Sequence, residues 1–192
     1  MKTVTKILIL LVSAGSYSSA WAHTGLAHTH NFLSAFLHPW WQTDHLALLF
    51  VVGLYAATFN ENRKPLLVPI IFLGLMTLGI GLSFVDIVLP ISQPRFASTL
   101  LIIGLFLITK IPLADSINLP LLAYLGVCHG YTHAADMGSL EDVFVYLPGL
   151  ALSTALIIVF AMSVSKAVNK KFNLRLLAGL MSIVFGSISF AM

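Results

Sequence analysis

The stretch VFVYLPGLALSTALIIVFAMSVS, from Val143 to Ser165, contains no charged side chain. A helix needs ~20 consecutive apolar residues to cross the hydrocarbon core of a bilayer, and this stretch is long enough. Working outward from it, further uncharged apolar runs occupy His45 to Phe59, Pro65 to Val85, Phe96 to Thr109, Ser116 to Ala135 and Leu176 to Met192. Together the runs predict an all-α fold, a polytopic membrane bundle of six transmembrane helices. The run at 96–109 is the shortest, and it spans if Arg95 and Lys110 at its ends snorkel to the two interfaces. Pro65, Pro94, Pro120 and Pro148 are expected near helix starts or in first turns, and Gly74, Gly79 and Gly81 at close-packing positions.

Composition agrees. Of 192 residues, 58% are hydrophobic and only 9% charged, and the mean hydropathy is +0.96. So few charges cannot cover a soluble surface, and disorder, a coiled coil, collagen and a nucleic-acid-binding arm are excluded with it. The excess of 10 Lys+Arg over 7 Asp+Glu then reports orientation rather than an anionic partner. The single cysteine, Cys128, excludes an internal disulfide and any paired-cysteine metal or redox site, and it reads as a packing residue. Histidine is the unusual residue: there are seven, as many as all the carboxylates.

Residues 1–22 read as a cleaved signal peptide. Lys2 and Lys6 form a basic start, Ile7 to Val12 a short apolar core, and Ala20-Trp21-Ala22 a small-residue cleavage site. The alternative is an uncleaved first membrane helix, for which the apolar core is too short. Cleavage makes His23 the mature N-terminus and 23–192 a single six-helix transmembrane domain in the inner membrane, with its N-terminus in the periplasm of a Gram-negative cell. Crossing from there puts Arg63, Lys64, Lys110, Lys166, Lys170, Lys171 and Arg175 in cytoplasmic loops and leaves only Arg95 outside, as the positive-inside rule requires.

On this topology every histidine lies toward the outer side. His23, His28 and His30 fall in the exported N-terminal segment, His38 and His45 at the start of the first span, and His129 and His133 toward the outer end of the fourth. Asp44, Asp86, Asp136, Glu141 and Asp142 are on that side too. Interfacial enrichment of polar residues is the plain alternative reading.

Two constellations could carry chemistry. In His38-Pro39-Trp40-Trp41-Gln42-Thr43-Asp44-His45, Pro39 disfavours helix at His38 and predicts a break there. Thr43 or Asp44 can then cap the following helix, with His45 in its first turn. In His129-Gly130-Tyr131-Thr132-His133-Ala134-Ala135-Asp136, helical geometry puts His133 about 40° round from His129 and Asp136 about 20° on the other side, so the three share one face. Two imidazoles at i, i+4 with a carboxylate form a divalent-metal pattern. The alternative, histidines hydrogen-bonded in a bundle core, is weakened in lipid, where an ionisable group costs ~2.5–3.5 kcal/mol at mid-helix.

These motifs resemble those of the HupE/UreJ family of nickel permeases and hydrogenase or urease accessory proteins. HPWWQTDH is similar to its HPxxGxDH signature, and HGYTHAAD to its HGxAHGxE segment. The resemblance spans nearly the whole mature chain and carries over His38, Asp44 and His45 from the first motif and His129, His133 and Asp136 from the second. This chain departs from the pattern at Gln42 and Ala134, where the family has glycine, at Asp136 for glutamate, at Gln93, where relatives often carry glutamate, and in lacking a histidine at 155–161.

The function that follows is secondary transport of a divalent transition-metal ion, nickel first, with Co2+, Cu or Zn2+ as alternatives. His23, His28 and His30 would collect the ion outside, and Asp44, His45, His129, His133 and Asp136 would form the intramembrane site, with His38 as its outermost ligand or as a group orienting the others. No Walker motif is present, so a gradient, the membrane potential or a downstream metal sink must drive the ion. No prosthetic group is expected and no nucleic acid. The expected partners are the metal ion and the bilayer, together with nickel-enzyme maturation proteins or an outer-membrane metal receptor. The rival readings are a membrane-bound metal-sensing accessory protein and, as the one enzyme, a membrane-embedded zinc hydrolase built on His45, His129 and His133 with Asp44 or Asp136 as base.

Overall fold

The computed structural model describes residues 31–57, 66–85, 87–89, 93–109, 115–134, 137, 139–167 and 174–191. Among them every regular element is helical: α1 (Phe32–Trp41), α2 (Thr43–Ala56), α3 (Leu67–Phe84), α4 (Gln93–Thr109), α5 (Asp115–Ala134), α6 (Leu140–Ala167) and α7 (Leu174–Ala191). The apolar runs read from the sequence lie on α2 to α7, and α1 is additional to them. Among the described residues α3 and α6 are long and apolar enough to cross a membrane, while the apolar parts of α2, α4 and α7 are shorter. The expected signal segment, residues 1–22, lies outside the described residues, as do Pro65, Asp86 and Lys110.

Helix α1 exists because its first turn is capped. Asn31 Oδ1 accepts from the Ser34 N–H at 2.8 Å, and the Asn31 N–H donates back to Ser34 Oγ at 3.2 Å. The helix runs through His38 and Pro39 and ends at Gln42, so the break comes later than the proline predicted. The bias of a residue before proline is a preference, and here the cap and the burial of Ala35 and Pro39 outweigh it. Gln42 is extended, at φ −92° and ψ 108°. Its N–H donates to the His38 carbonyl at 3.2 Å and its carbonyl accepts from the Leu46 N–H at 2.9 Å, so one residue closes α1 and opens α2. Thr43 and Asp44 therefore lie within α2 instead of capping it.

Pro94 falls at the second position of α4, as expected, but Pro120 and Pro148 are helix-interior because α5 and α6 begin upstream, at Asp115 and Leu140. The early start of α6 has a local cause: the Asp142 N–H donates to Ser139 Oγ at 3.3 Å, Ser139 Oγ donates to Asp142 Oδ2 at 2.9 Å, and Glu141 and Asp142 offset the positive end of the helix dipole.

The closest helix pairs are α3 with α5 and α4 with α7, and α6 packs against both α1 and α2. At the α3–α5 seam a Cβ on Gly130 would collide with the Met76 carbonyl, and one on Gly79 with the Val127 carbonyl. Gly74 and Gly81 have nothing within 4 Å of a Cβ, so of the glycines expected at close-packing positions in α3 only Gly79 holds one. Gly126 sits over Phe72 and Leu75, and Gly130 over Met76, so α3 and α5 run parallel. Gly104 meets Gly179 and Ile183 while Ser182 Oγ donates to the Leu100 carbonyl at 2.6 Å, so α4 and α7 run antiparallel.

Two apolar clusters fill the interior. One includes Leu48 and Leu49 of α2, Phe72 of α3, Leu122 and Leu125 of α5, and Ile157 and Ile158 of α6. The other includes Ala35 of α1, Met76 and Ile80 of α3, Ala134 of α5, and Tyr146 and Leu150 of α6. Between them along α5 lie His129 and His133, and between them along α6 lie Ser153 and Thr154, all buried. The bundle thus holds a polar layer between two apolar ones.

Candidate metal centre

Four imidazoles meet in that layer. His129 and His133, one turn apart on α5, stand edge to face with centroids 4.6 Å apart. His45, in the first turn of α2, lies 5.0 Å from His129 and 4.8 Å from His133. His38, from the last turn of α1, lies 5.4 Å from His45 and 4.9 Å from His133. His129 and His133 are each 1% exposed, whereas His38 and His45 are half-buried. The cluster therefore has a closed inner end on α5 and a more open end at the joint between α1 and α2.

The local sequence explains the convergence. The extended backbone of Gln42 lets α1 turn away from α2, and His38 and His45, on opposite sides of that joint, return to one point. Gly149 lets α1 approach α6 closely: a Cβ there would collide with the Phe32 carbonyl and lie 3.2 Å from Ala35 Cβ. On the other side, Gly130 between the two α5 histidines brings α3 against α5, and Phe72 packs at 5.9 Å from the His129 ring.

One ligand atom each from His38, His45 and His133 lies within 4.8 Å of the others. Around a tetrahedral ion with bonds of about 2.0–2.1 Å, neighbouring nitrogens are separated by roughly 3.3 Å, so small rotations of three imidazoles would enclose one divalent ion. His129 is not one of that trio but stands beside it, its ring 4.6 Å from His133 and 5.0 Å from His45, and its Nε2 is buried and has no hydrogen-bond partner. Leaving such a group unpaired costs about 1–3 kcal/mol, which a bound cation would offset. The donor set is imidazole-rich and borderline in softness, which suits Ni, Co, Cu or Zn better than Mg or Ca.

Of the residues assigned to the site from sequence, the fold brings together His38, His45, His129 and His133. Asp44 lies in the first turn of α2 by its backbone, but its side chain, Asp136, and the N-terminal His23, His28 and His30 lie outside the described residues. Glu141 is exposed and Asp142 serves the α6 cap. Sequence reasoning passed over Ser153, Thr154 and Met76, which flank the histidine layer. The available signal was the Ser-Thr pair interrupting the apolar run of α6.

Comparison with known proteins agrees with the motifs. The chain is 25% identical over 153 residues to Protein HupE of Rhizobium leguminosarum bv. viciae, covering 80% of this chain and 79% of that one. No solved structure matches it significantly. The family described as HupE / UreJ protein matches residues 9–189, nearly the full length. By that match, the chain belongs to the HupE/UreJ family.

Proposed function

We propose that the protein is a secondary transporter for a divalent transition-metal ion, nickel first among Ni2+, Co2+, Cu and Zn2+, and that it is not an enzyme. The observation that carries this reading is the meeting of His38, His45, His129 and His133, from three helices, at one largely buried point. Membership of a family associated with hydrogenase and urease, both nickel enzymes, supports the choice of metal. Neutral imidazoles strip the hydration shell while Asp44 and Asp136 offset the 2+ charge. Binding must remain weak enough for release, and a site without thiolates meets that need.

The transport reading places α2 to α7 across the inner membrane as six crossings, after cleavage of residues 1–22, with the mature N-terminus in the periplasm. Helix direction supports this count. Spans two and four must run the same way and spans three and six opposite ways; α3 and α5 are parallel, and α4 and α7 antiparallel. His23, His28 and His30 collect the ion outside, and His38 and His45, the more open pair, receive it first. No prosthetic group takes part. Nickel-enzyme maturation proteins inside the cell or an outer-membrane metal receptor are the partners this role would serve.

The test is metal-resolved uptake into proteoliposomes, scanned over Ni, Co, Cu, Zn and Mn with and without a pH gradient. Saturable uptake of one or more of these ions is expected, lost in His45→Ala, His129→Ala and His133→Ala while the protein stays folded in the membrane. Uptake at the unaltered rate in His129→Ala or His133→Ala would refute the assignment.

A further inference from the structure

The polar layer contains a buried hydroxyl that neither the imidazole site nor any hydrogen bond uses. Ser153 of α6 is fully buried, and its Oγ has no hydrogen-bond partner. This is not the usual state of a helical hydroxyl, which in apolar surroundings bonds back to a carbonyl of the preceding turn. Thr77 does so to the Leu73 carbonyl at 3.0 Å, Thr109 to Leu105 at 2.8 Å and Ser163 to Val159 at 2.8 Å, while Ser182 reaches across to another helix. Ser153 makes neither kind of bond.

Its position gives the reason. Thr154, the next residue, places Oγ1 4.0 Å from Met76 Sδ, and the Met76 backbone packs against Gly130, between His129 and His133. Ser153 is thus at the depth of the α5 histidines. Along α6 it is one turn from Gly149, which touches α1, and a little over one turn from Ile158, which touches Gly53 of α2. Those are the helices that carry His38 and His45. Apolar residues close the layer on both sides, Tyr146 and Leu150 in one cluster and Ile157 and Ile158 in the other.

The geometry points to Ser153 as a further ion-contacting residue, whose hydroxyl oxygen joins the divalent cation held by the imidazoles of α1, α2 and α5. This inference rests on the metal-transport reading and adds α6 to it. A neutral hydroxyl is a weak ligand beside imidazole. It fills a coordination position without adding charge, and it yields readily when the ion moves on. Because α6 is long and apolar enough to cross a membrane and also packs on α1 and α2, a ligand on it links ion occupancy to the contact between α6 and the two helices that hold the outer imidazoles.

Cobalt(II) is the probe, titrated into the purified full chain in a Cys128→Ala background so that no other thiol is present. The background protein should show the visible d–d bands of cobalt bound through nitrogen and oxygen. Ser153→Cys should add a thiolate-to-cobalt charge-transfer band in the near ultraviolet and bind cobalt more tightly, since a thiolate is the stronger and softer donor. Ser153→Ala should keep the helical content and elution volume of the parent but raise the half-saturating cobalt concentration severalfold. Full d–d bands with no charge-transfer band in Ser153→Cys, or an unchanged half-saturation in Ser153→Ala, would overturn the role of Ser153 and leave the imidazole site standing. Absence of any cobalt spectrum in the background protein would overturn the transport reading and this inference together.

Discussion

His38 meets His133 edge to face, with ring centroids 4.9 Å apart, although His38 ends a short helix near the start of the described chain and His133 sits in the last turn of α5. The contact makes α1 part of the histidine cluster rather than a lead-in to it. Three structural features secure it: the Asn31 cap, the α1 approach at Gly149 and the joint at Gln42. Each can be tested separately from the ligands themselves.

Loosening α1 should weaken metal binding without harming the bundle. Asn31→Ala removes the bond to the Ser34 N–H, a cap worth about 0.5–2 kcal/mol. That is a large fraction of the stability of so short a helix. Calorimetric titration with Ni2+ should show a severalfold loss of affinity, with the thermal midpoint of the bundle within a few degrees of the parent. An unchanged affinity would mean that α1 is held by packing alone.

The carboxylates should matter through charge. Asp136→Asn and Asp44→Asn keep side-chain size and remove the negative charge proposed to offset the cation. Changes around a metal commonly lower affinity or activity by about 10–100-fold, and uptake by either variant should fall within that range. Wild-type uptake in both would leave the imidazoles as a site needing no compensating charge.

Two glycines on the same seam-forming pair of helices should respond oppositely. A methyl group at Gly130 must displace the Met76 backbone, so Gly130→Ala should destabilise the folded protein by about 1–3 kcal/mol and lower cobalt or nickel binding with it. Gly74 has open space around it, and Gly74→Ala should be neutral or stabilising by up to about 1 kcal/mol, through better helix propensity. Thermal unfolding in detergent reads both, and a stable Gly130→Ala would show that the α3–α5 seam is looser than described.

The N-terminal histidines should act on supply. If His23 becomes the mature N-terminus, its α-amino group and imidazole can chelate one ion, with His28 and His30 close enough in sequence to add donors. Deleting residues 23–30 behind an intact cleavage site should raise the half-saturating metal concentration of uptake severalfold and leave the maximal rate nearly unchanged. The same half-saturation in correctly processed protein would remove the capture role.

Much of the architecture was legible in the residues because its cause is local. Long uncharged runs such as Val143 to Ser165 admit few structures other than helix, and the i, i+4 spacing of His129 and His133 places them on one face by geometry alone. What escaped the sequence depended on competition between local and long-range terms. Pro39 argued against helix at His38, but capping by Asn31 and burial of Ala35 and Pro39 prevailed, and they turned an expected break into α1. Gly74, Gly79 and Gly81 look alike in sequence, yet only Gly79 faces another backbone, because helix rotation about the seam is set by the partner helix.

The sequence by itself therefore determined the helical class and the histidine-rich character of the candidate site, with His129 and His133 on one helix face. Tertiary structure alone decided that His38 and His45 reach His129 and His133, and that Ser153 lies at their depth. The physical reason is that a ligand set is a property of points in space: helix periodicity fixes the angle between residues on one helix, whereas the distance between helices depends on how their surfaces meet, here by backbone approach at Gly130 and Gly149, which no single segment encodes.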